Sequence, residues 1–165
     1  MKFKITYLLL FAVLFSFTAV AQTEKLKIYN PDADAAAEIA AAVKKADAEG
    51  KHVLLQIGGN WCSWCIKFHQ FTTTDAQLDS ALKAGYVVQK VNYSKENHNL
   101  PVLEKLAYPQ RFGFPVFVVL NSNGERIHTQ NSAYLEEGQG YSKKKVLEFL
   151  GQWSPDALQP KRYKK

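Results

Sequence analysis

The chain has only two cysteines in 165 residues, too few for a scaffold held by several disulfides. They are also too close together. Cys62 and Cys65 enclose two residues, and closing so short a loop constrains the unfolded chain very little. There is no second Cys-x-x-Cys and no His-x-x-x-His, so the remaining ligands of a structural zinc site are missing. Ile66 follows Cys65 directly, where covalent haem attachment needs a histidine. Basic residues outnumber acidic ones by 21 to 15, but they gather at Lys143-Lys144-Lys145 and Lys161-Arg162-Tyr163-Lys164-Lys165. Neither cluster carries the aromatic interleaving of a nucleic-acid path. The last cluster reads as a solvated tail, with at most weak attraction to anionic lipid. The pattern holds no internal repeat and no second domain.

Long apolar runs are equally scarce. The one candidate covers residues 5–17 and is shorter than the ~20 residues of a membrane-spanning helix. It follows the basic Met1-Lys2-Phe3-Lys4 and precedes Ala19-Val20-Ala21, the order of a secretory signal. The expectation is a signal peptide over 1–21, cleaved after Ala21, followed by one domain over 22–165 with its core at about 35–153 and a basic tail at 154–165. Losing Lys2 and Lys4 lowers the net charge from +6 to +4. A retained membrane anchor is the competing reading, against which no basic stop follows the run. A lipid anchor would need a cysteine after the cleavage site. Export to the periplasm, or otherwise out of the cytosol, suits a chain whose cysteines are to form a disulfide.

Both cysteines lie in Gly58-Gly59-Asn60-Trp61-Cys62-Ser63-Trp64-Cys65, after an apolar run and before a helical pattern. The nucleophile in disulfide exchange is the thiolate, and a free thiol has a pKa of about 8.5. At the first turn of a helix, unpaired N–H groups and the dipole would favour ionised Cys62. Cys65, one turn on, would be placed to attack a mixed disulfide on Cys62 and release the partner. The spacing supplies an attacker and a resolver.

The segments around this motif alternate. A polar lead-in contains a candidate strand at Leu26-Lys27-Ile28-Tyr29. A helix starts at Asn30-Pro31-Asp32 and runs to about Glu49, with Gly50 as its stop. Val53-Leu54-Leu55-Gln56-Ile57 reads as a buried strand. The helix after the cysteines falters at Thr72-Thr73-Thr74, and Thr74 with Gln77 forms a capping box for another, which carries Leu78, Ala81 and Leu82 and ends at Gly85. Tyr86-Val87-Val88-Gln89-Lys90-Val91 is a second strand, parallel to the first because a helix joins them. A short helix from Asn99-Leu100-Pro101 reaches Leu106. Phe114-Pro115-Val116-Phe117-Val118-Val119-Leu120 is a third strand, paired through the turn Asn121-Ser122-Asn123-Gly124 with Glu125-Arg126-Ile127-His128-Thr129. A mobile linker over 131–141 leads to a last helix that opens at Ser142 and buries Val146, Phe149, Leu150 and Trp153. The expected class is α/β, with a central mixed sheet, a parallel pair plus an antiparallel C-terminal hairpin, flanked by helices.

The order of elements and the motif together resemble the thioredoxin superfamily, in particular its exported bacterial thioredoxin-like proteins. The resemblance covers residues 35–153 and rests on Trp61-Cys-x-x-Cys65 and on Gly113-Phe114-Pro115-Val116, which matches the position of the family's cis-proline. It implies that Phe114 and Pro115 offer a free backbone edge to the substrate segment bearing the target cysteine; proline also removes one N–H from the ladder. An ordinary trans proline at a strand start is the plainer alternative. The chain departs from thioredoxins proper at three points. Gln56 stands where the family has a buried acid that takes the proton of the resolving cysteine, and glutamine cannot act as a base. Lys90 matches the family's buried lysine but loses its acidic partner, so a surface position is an equal reading. Ser63-Trp64 replaces Gly-Pro between the cysteines.

Other side chains carry two readings each. Trp64 is expected as a partly exposed platform for substrate. Trp61 either shields the disulfide and contacts substrate or packs in the core. Asn60 caps the helix or belongs to a turn, and Gly58-Gly59 gives a partner access to backbone or is turn chemistry. His69 falls on the helical face of the cysteines, where it would favour a thiolate, complete a Cys2His metal set, or simply pack. His52, His98 and His128 are expected at the surface. The leading reading is an exported thiol-disulfide oxidoreductase acting on protein thiols and disulfides. It would act as a monomer, with no metal and no cofactor beyond the Cys62–Cys65 disulfide. Sustained reduction outside the cytosol would need an electron-donating partner in the membrane. The rival is a binding module on the same fold, a chaperone or metal carrier whose cysteines hold rather than turn over.

Overall fold

β1 (His52–Gly58) is buried along its whole length because both faces of the sheet at this strand are covered. The computed structural model describes residues 26–164, and the expected signal peptide lies outside them. On one face Val53, Leu55 and Ile57 meet Val116, Val118 and Leu120 of β3 (Val116–Leu120), with Ala42 and Ala46 of α1 (Ala35–Glu49) and Leu103 of α4 (Leu100–Lys105) above them. On the other, Leu54, Phe117 and Val119 meet Phe68 of α2 (Ser63–Thr74), Leu78 of α3 (Ala76–Gly85) and Phe149 of α5 (Lys143–Gln152). Period-two alternation thus sorts each strand's side chains between two apolar layers. Each large apolar side chain so buried contributes about 1.5–3 kcal/mol relative to exposure.

The strand order is β2-β1-β3-β4. β2 (Tyr86–Asn92) runs parallel to β1, while β3 is antiparallel to β1 and to β4 (Arg126–Asn131). This is the expected α/β class, a mixed sheet between helical layers.

Several local expectations change. Residues 26–30 form no strand; instead the Asn60 side chain accepts from the Ile28 and Tyr29 amides at 2.8 and 3.0 Å and donates to the Tyr29 carbonyl at 2.8 Å. One amide side chain thereby does what a neighbouring strand would do. α1 begins later than Asn30-Pro31-Asp32, because the Asp34 carboxylate takes the Ala36 and Ala37 amides. The α3 cap is Asp75, which accepts from Gln77 and Leu78. Thr74 stays within α2, its hydroxyl donating to the Gln70 carbonyl one turn back at 2.8 Å. β3 starts at Val116, after the cis Phe114–Pro115 bond.

The segment expected as a mobile linker is built of regular pieces. A 3-10 turn (Ser132–Leu135) leads into the small hairpin of β5 (Glu136–Glu137) and β6 (Gly140–Tyr141), and Leu135 and Tyr141 are buried in the second apolar layer. Lys143, Lys144 and Lys145 are exposed, and two of them hold partners at the surface: Lys143 pairs with Asp75 at 2.8 Å and Lys145 donates to the Glu136 carbonyl at 2.6 Å. His52 is buried, and its Nδ1–H donates to the Trp153 carbonyl at 2.8 Å. His128 stacks on Trp153 with ring centroids 4.1 Å apart, and His98 packs edge-on against Tyr93.

Candidate active site

β1 delivers the chain to a tight loop, Gly59-Asn60-Trp61, that ends at Cys62. Cys62 is the N-cap of α2, in extended conformation, and its Sγ accepts the Cys65 amide at 3.1 Å. The two sulfurs are joined at 2.11 Å. Cys62 is 5% exposed and Cys65 is 0% exposed, so a partner can reach only the first. No acidic side chain lies in the first turn of α2 to oppose the positive end of the helix dipole, which favours a negative sulfur at Cys62.

The two glycines are required by space. A Cβ on Gly58 would stand 2.4 Å from Cys65 Sγ, and one on Gly59 2.5 Å from Trp61 Nε1 and 2.7 Å from the Tyr93 carbonyl. Beside the two sequence readings, partner access and turn chemistry, the structure gives a third: close approach by the chain's own atoms. Asn60 does not cap α2; it pins residues 28 and 29.

Around the sulfurs the aromatic rings are ordered. Trp61 is the outermost, 59% exposed, with its Nε1–H donating to the Tyr93 carbonyl at 2.7 Å and its ring edge-on to Phe114 at 5.4 Å. Phe114 in turn stacks on Tyr93 at 4.8 Å and packs against the cluster of Cys62, Cys65 and Tyr29. Trp64 is half-buried, edge-on to Tyr141 at 5.4 Å, with the Lys67 ammonium 4.7 Å above its ring. Trp61 is therefore the more exposed of the two, while Trp64, partly exposed as expected, lies between two apolar clusters. An open groove of about 460 Å³ adjoins Trp61, lined also by Pro31, Asn60, Tyr93 and His98.

Gln56 is buried, and its Nε2 donates to the Cys65 carbonyl at 3.0 Å. Lys90 is its neighbour across the parallel β1–β2 pair, and burial holds the Lys90 ammonium below the usual lysine pKa. Lys90 is thus half-buried rather than at the surface. His69 opens into the cavity it shares with Lys90 and Gln56. Burial, aided by the Lys90 charge, lowers its pKa, which disfavours the imidazolium that would support a thiolate. Among the described residues, no three His, Cys, Asp or Glu side chains gather as metal ligands.

One residue beside the sulfurs gives no signal in the sequence. Tyr29 is 4% exposed and shares an apolar cluster with Cys62 and Cys65, although it sits in an unremarkable lead-in. Only the Asn60 contacts, which need the folded chain, bring it there.

Residues 39–138 match the thioredoxin-like domain family. The chain belongs to that family. Over 91 residues it is 30% identical to the thiol:disulfide interchange protein DsbD of Vibrio cholerae, covering 54% of this chain and 14% of that one. Over 80 residues it is 30% identical to the Klebsiella pneumoniae protein of the same name, covering 48% and 13%. The matches span a small part of these relatives. Among solved structures, a disulphide isomerase from Xylella fastidiosa superposes with a TM-score of 0.68 at 23% identity, covering 77% of this chain and 96% of that one. The C-terminal domain of Neisseria meningitidis DsbD in its oxidised form gives 0.50 at 20%, covering 73% and 96%. These likenesses bear on the fold. Together with the Cys62–Cys65 disulfide, the family supports redox chemistry at the level of thioredoxin-like oxidoreductases.

Proposed function

We propose that the chain is an exported thiol-disulfide oxidoreductase that exchanges disulfides with protein substrates. The observation that carries this reading is the unequal pair at the head of α2, with Cys62 at the N-cap and Cys65 fully enclosed. In the reduced chain the Cys62 thiolate attacks a substrate disulfide, one substrate sulfur leaves as thiolate, and the other is joined to Cys62. Cys65 then attacks Cys62, the internal disulfide closes, and the substrate departs as a dithiol carrying two more electrons. The oxidised chain runs the same steps in reverse. No cofactor beyond the pair takes part, and one chain holding both sulfurs acts as a monomer.

Phe114 and Pro115 would present the backbone edge to the substrate segment, and Trp61 would cover it. The interchange proteins among the relatives support protein thiols and disulfides as partners. Export is supported by the basic, apolar and small-residue order of residues 1–21, and no described helix is long and apolar enough to cross a membrane. Electrons for continued reduction outside the cytosol would come from a membrane partner.

The test uses two variants and a disulfide-bonded reporter protein. Cys65→Ser should accumulate a mixed disulfide through Cys62, visible as a mass adduct that a reductant removes. Cys62→Ala should abolish exchange, and undiminished activity in that variant would sink the reading.

A further inference from the structure

The exchange chemistry proposed above, on which this inference rests, leaves Cys65 without an obvious proton partner. Gln56 occupies the place of an acid, and its amide is spent as a donor to the Cys65 carbonyl. Two buried side-chain atoms find no hydrogen-bond partner among the described residues, Gln110 Oε1 and the Tyr29 hydroxyl; the second lies beside the sulfurs, facing a Gln56 side chain whose amide goes to the Cys65 carbonyl. A buried hydroxyl without a partner is costly, and native structures rarely keep one without a reason.

Its position supplies the reason. A Cβ built on Gly58 would stand 2.4 Å from Cys65 Sγ and 3.1 Å from the Tyr29 hydroxyl oxygen. The two atoms therefore border the same small space, kept open because residue 58 has no side chain. The Tyr29 backbone is fixed there from both sides of its peptide by Asn60, two residues before Cys62. Disulfide sulfur is a weak acceptor, but a thiolate is a strong, charged one. A donor unpaired beside the oxidised pair is thus matched to the form in which Cys65 carries charge.

We propose that the Tyr29 hydroxyl donates a hydrogen bond to the Cys65 thiolate and so stabilises the resolving sulfur in its reactive form. When the oxidised pair is attacked at Cys62 by a substrate thiolate, the new bond forms at Cys62 Sγ, the internal S–S bond breaks, and its electron pair stays on Cys65, where Tyr29 receives it. In the opposite direction Cys65 attacks Cys62 as that thiolate, and the substrate sulfur leaves with the electron pair and takes a proton from solvent. Tyr29 keeps its own proton throughout. Burial drives its pKa far above the ordinary tyrosine value, so it acts as a donor and never as a base. The other titratable groups that face this region are Cys62, Tyr141 and, beyond Gln56, Lys90 and His69.

Tyr29→Phe removes the hydroxyl and keeps the ring. In a Cys62→Ala background, thiolate absorbance should show the Cys65 pKa rising by about one unit, the scale of a charge-assisted hydrogen bond. With Cys62 present, resolution of a preformed Cys62–glutathione mixed disulfide should slow about threefold at neutral pH, because the loss of thiolate outweighs the gain in its nucleophilicity, while alkylation of Cys62 keeps its rate. In the chain with native Tyr29, the Tyr29 ring-carbon resonance next to the hydroxyl should move with the Cys65 titration, a readout independent of how well the variant folds. An unchanged Cys65 pKa with an unchanged resolution rate, or a Tyr29 resonance blind to that titration, overturns the assignment. Those outcomes leave Cys62 exchange intact, whereas failure of the exchange reading shows itself as activity surviving Cys62→Ala.

Discussion

At Gly58 the absence of a side chain is a structural requirement. A methyl group there would fall 2.4 Å from Cys65 Sγ, so Gly58→Ala must displace the sulfur or the strand end. We expect it to lower stability by about 1–3 kcal/mol, the usual range for overpacking a tight core, measured as a lower urea midpoint of the oxidised protein with unchanged slope. Cys62 and Cys65 were legible in the sequence because their chemistry depends on spacing along one helix turn. Gln56 was legible by counting back along a strand from the motif. Tyr29 was not, since its place beside the sulfurs depends on a side-chain contact from Asn60 that no periodicity encodes. Trp61 and Trp64 both stand out in the sequence, but how far each is exposed depends on where Phe114 and Tyr141 come to rest.

The elements hold one another through their ends. Asp75 closes the first turn of α3 with two backbone hydrogen bonds and pairs with Lys143 at the start of α5, so one carboxylate serves two helices. The ammonium of Lys143, with the Leu78 and Gln77 amides, holds the Asp75 carboxyl below its ordinary pKa of about 3.9. A depressed carboxylate pKa means that the folded state binds this proton less tightly than the unfolded chain. Its contribution is present above the ordinary value and fades as pH falls through the depressed one. Asp75→Ala should therefore lower the Tm at neutral pH, and the gap to the parent protein should close in strong acid; a gap independent of pH would show that the charge plays no part. The capping site was read one residue early in the sequence because Thr74 and Asp75 both suit an N-cap, and the Thr74 hydroxyl is instead satisfied by the preceding turn. The four strands of the main sheet were read more accurately than the candidate at residues 26–29, since short apolar runs and the Asn-Gly turn are local signals, whereas the β5–β6 hairpin is too short to have a period.

Across the whole molecule, the amino-terminal segment belongs to the redox end of the sheet. Asn60 accepts from the amides of residues 28 and 29 just ahead of Cys62. Asn60→Ala should release that segment while leaving the sheet in place: hydrogen exchange should speed at the Ile28 and Tyr29 amides and stay slow in β1 and β3. Equal acceleration everywhere would indicate instead that Asn60 supports global stability. The carboxy-terminal segment behaves differently. Beyond α5, Ser154 and Pro155 lie against Gly85, where β2 begins, at the end of the sheet away from the disulfide. The described chain therefore starts at one pole and finishes at the other, which matters for anyone building on it. A fluorescent fusion or immobilisation handle joined ahead of residue 26 would be carried to the rim of the sulfur pair and obstruct visiting proteins, whereas the same handle behind residue 164 would leave that rim clear.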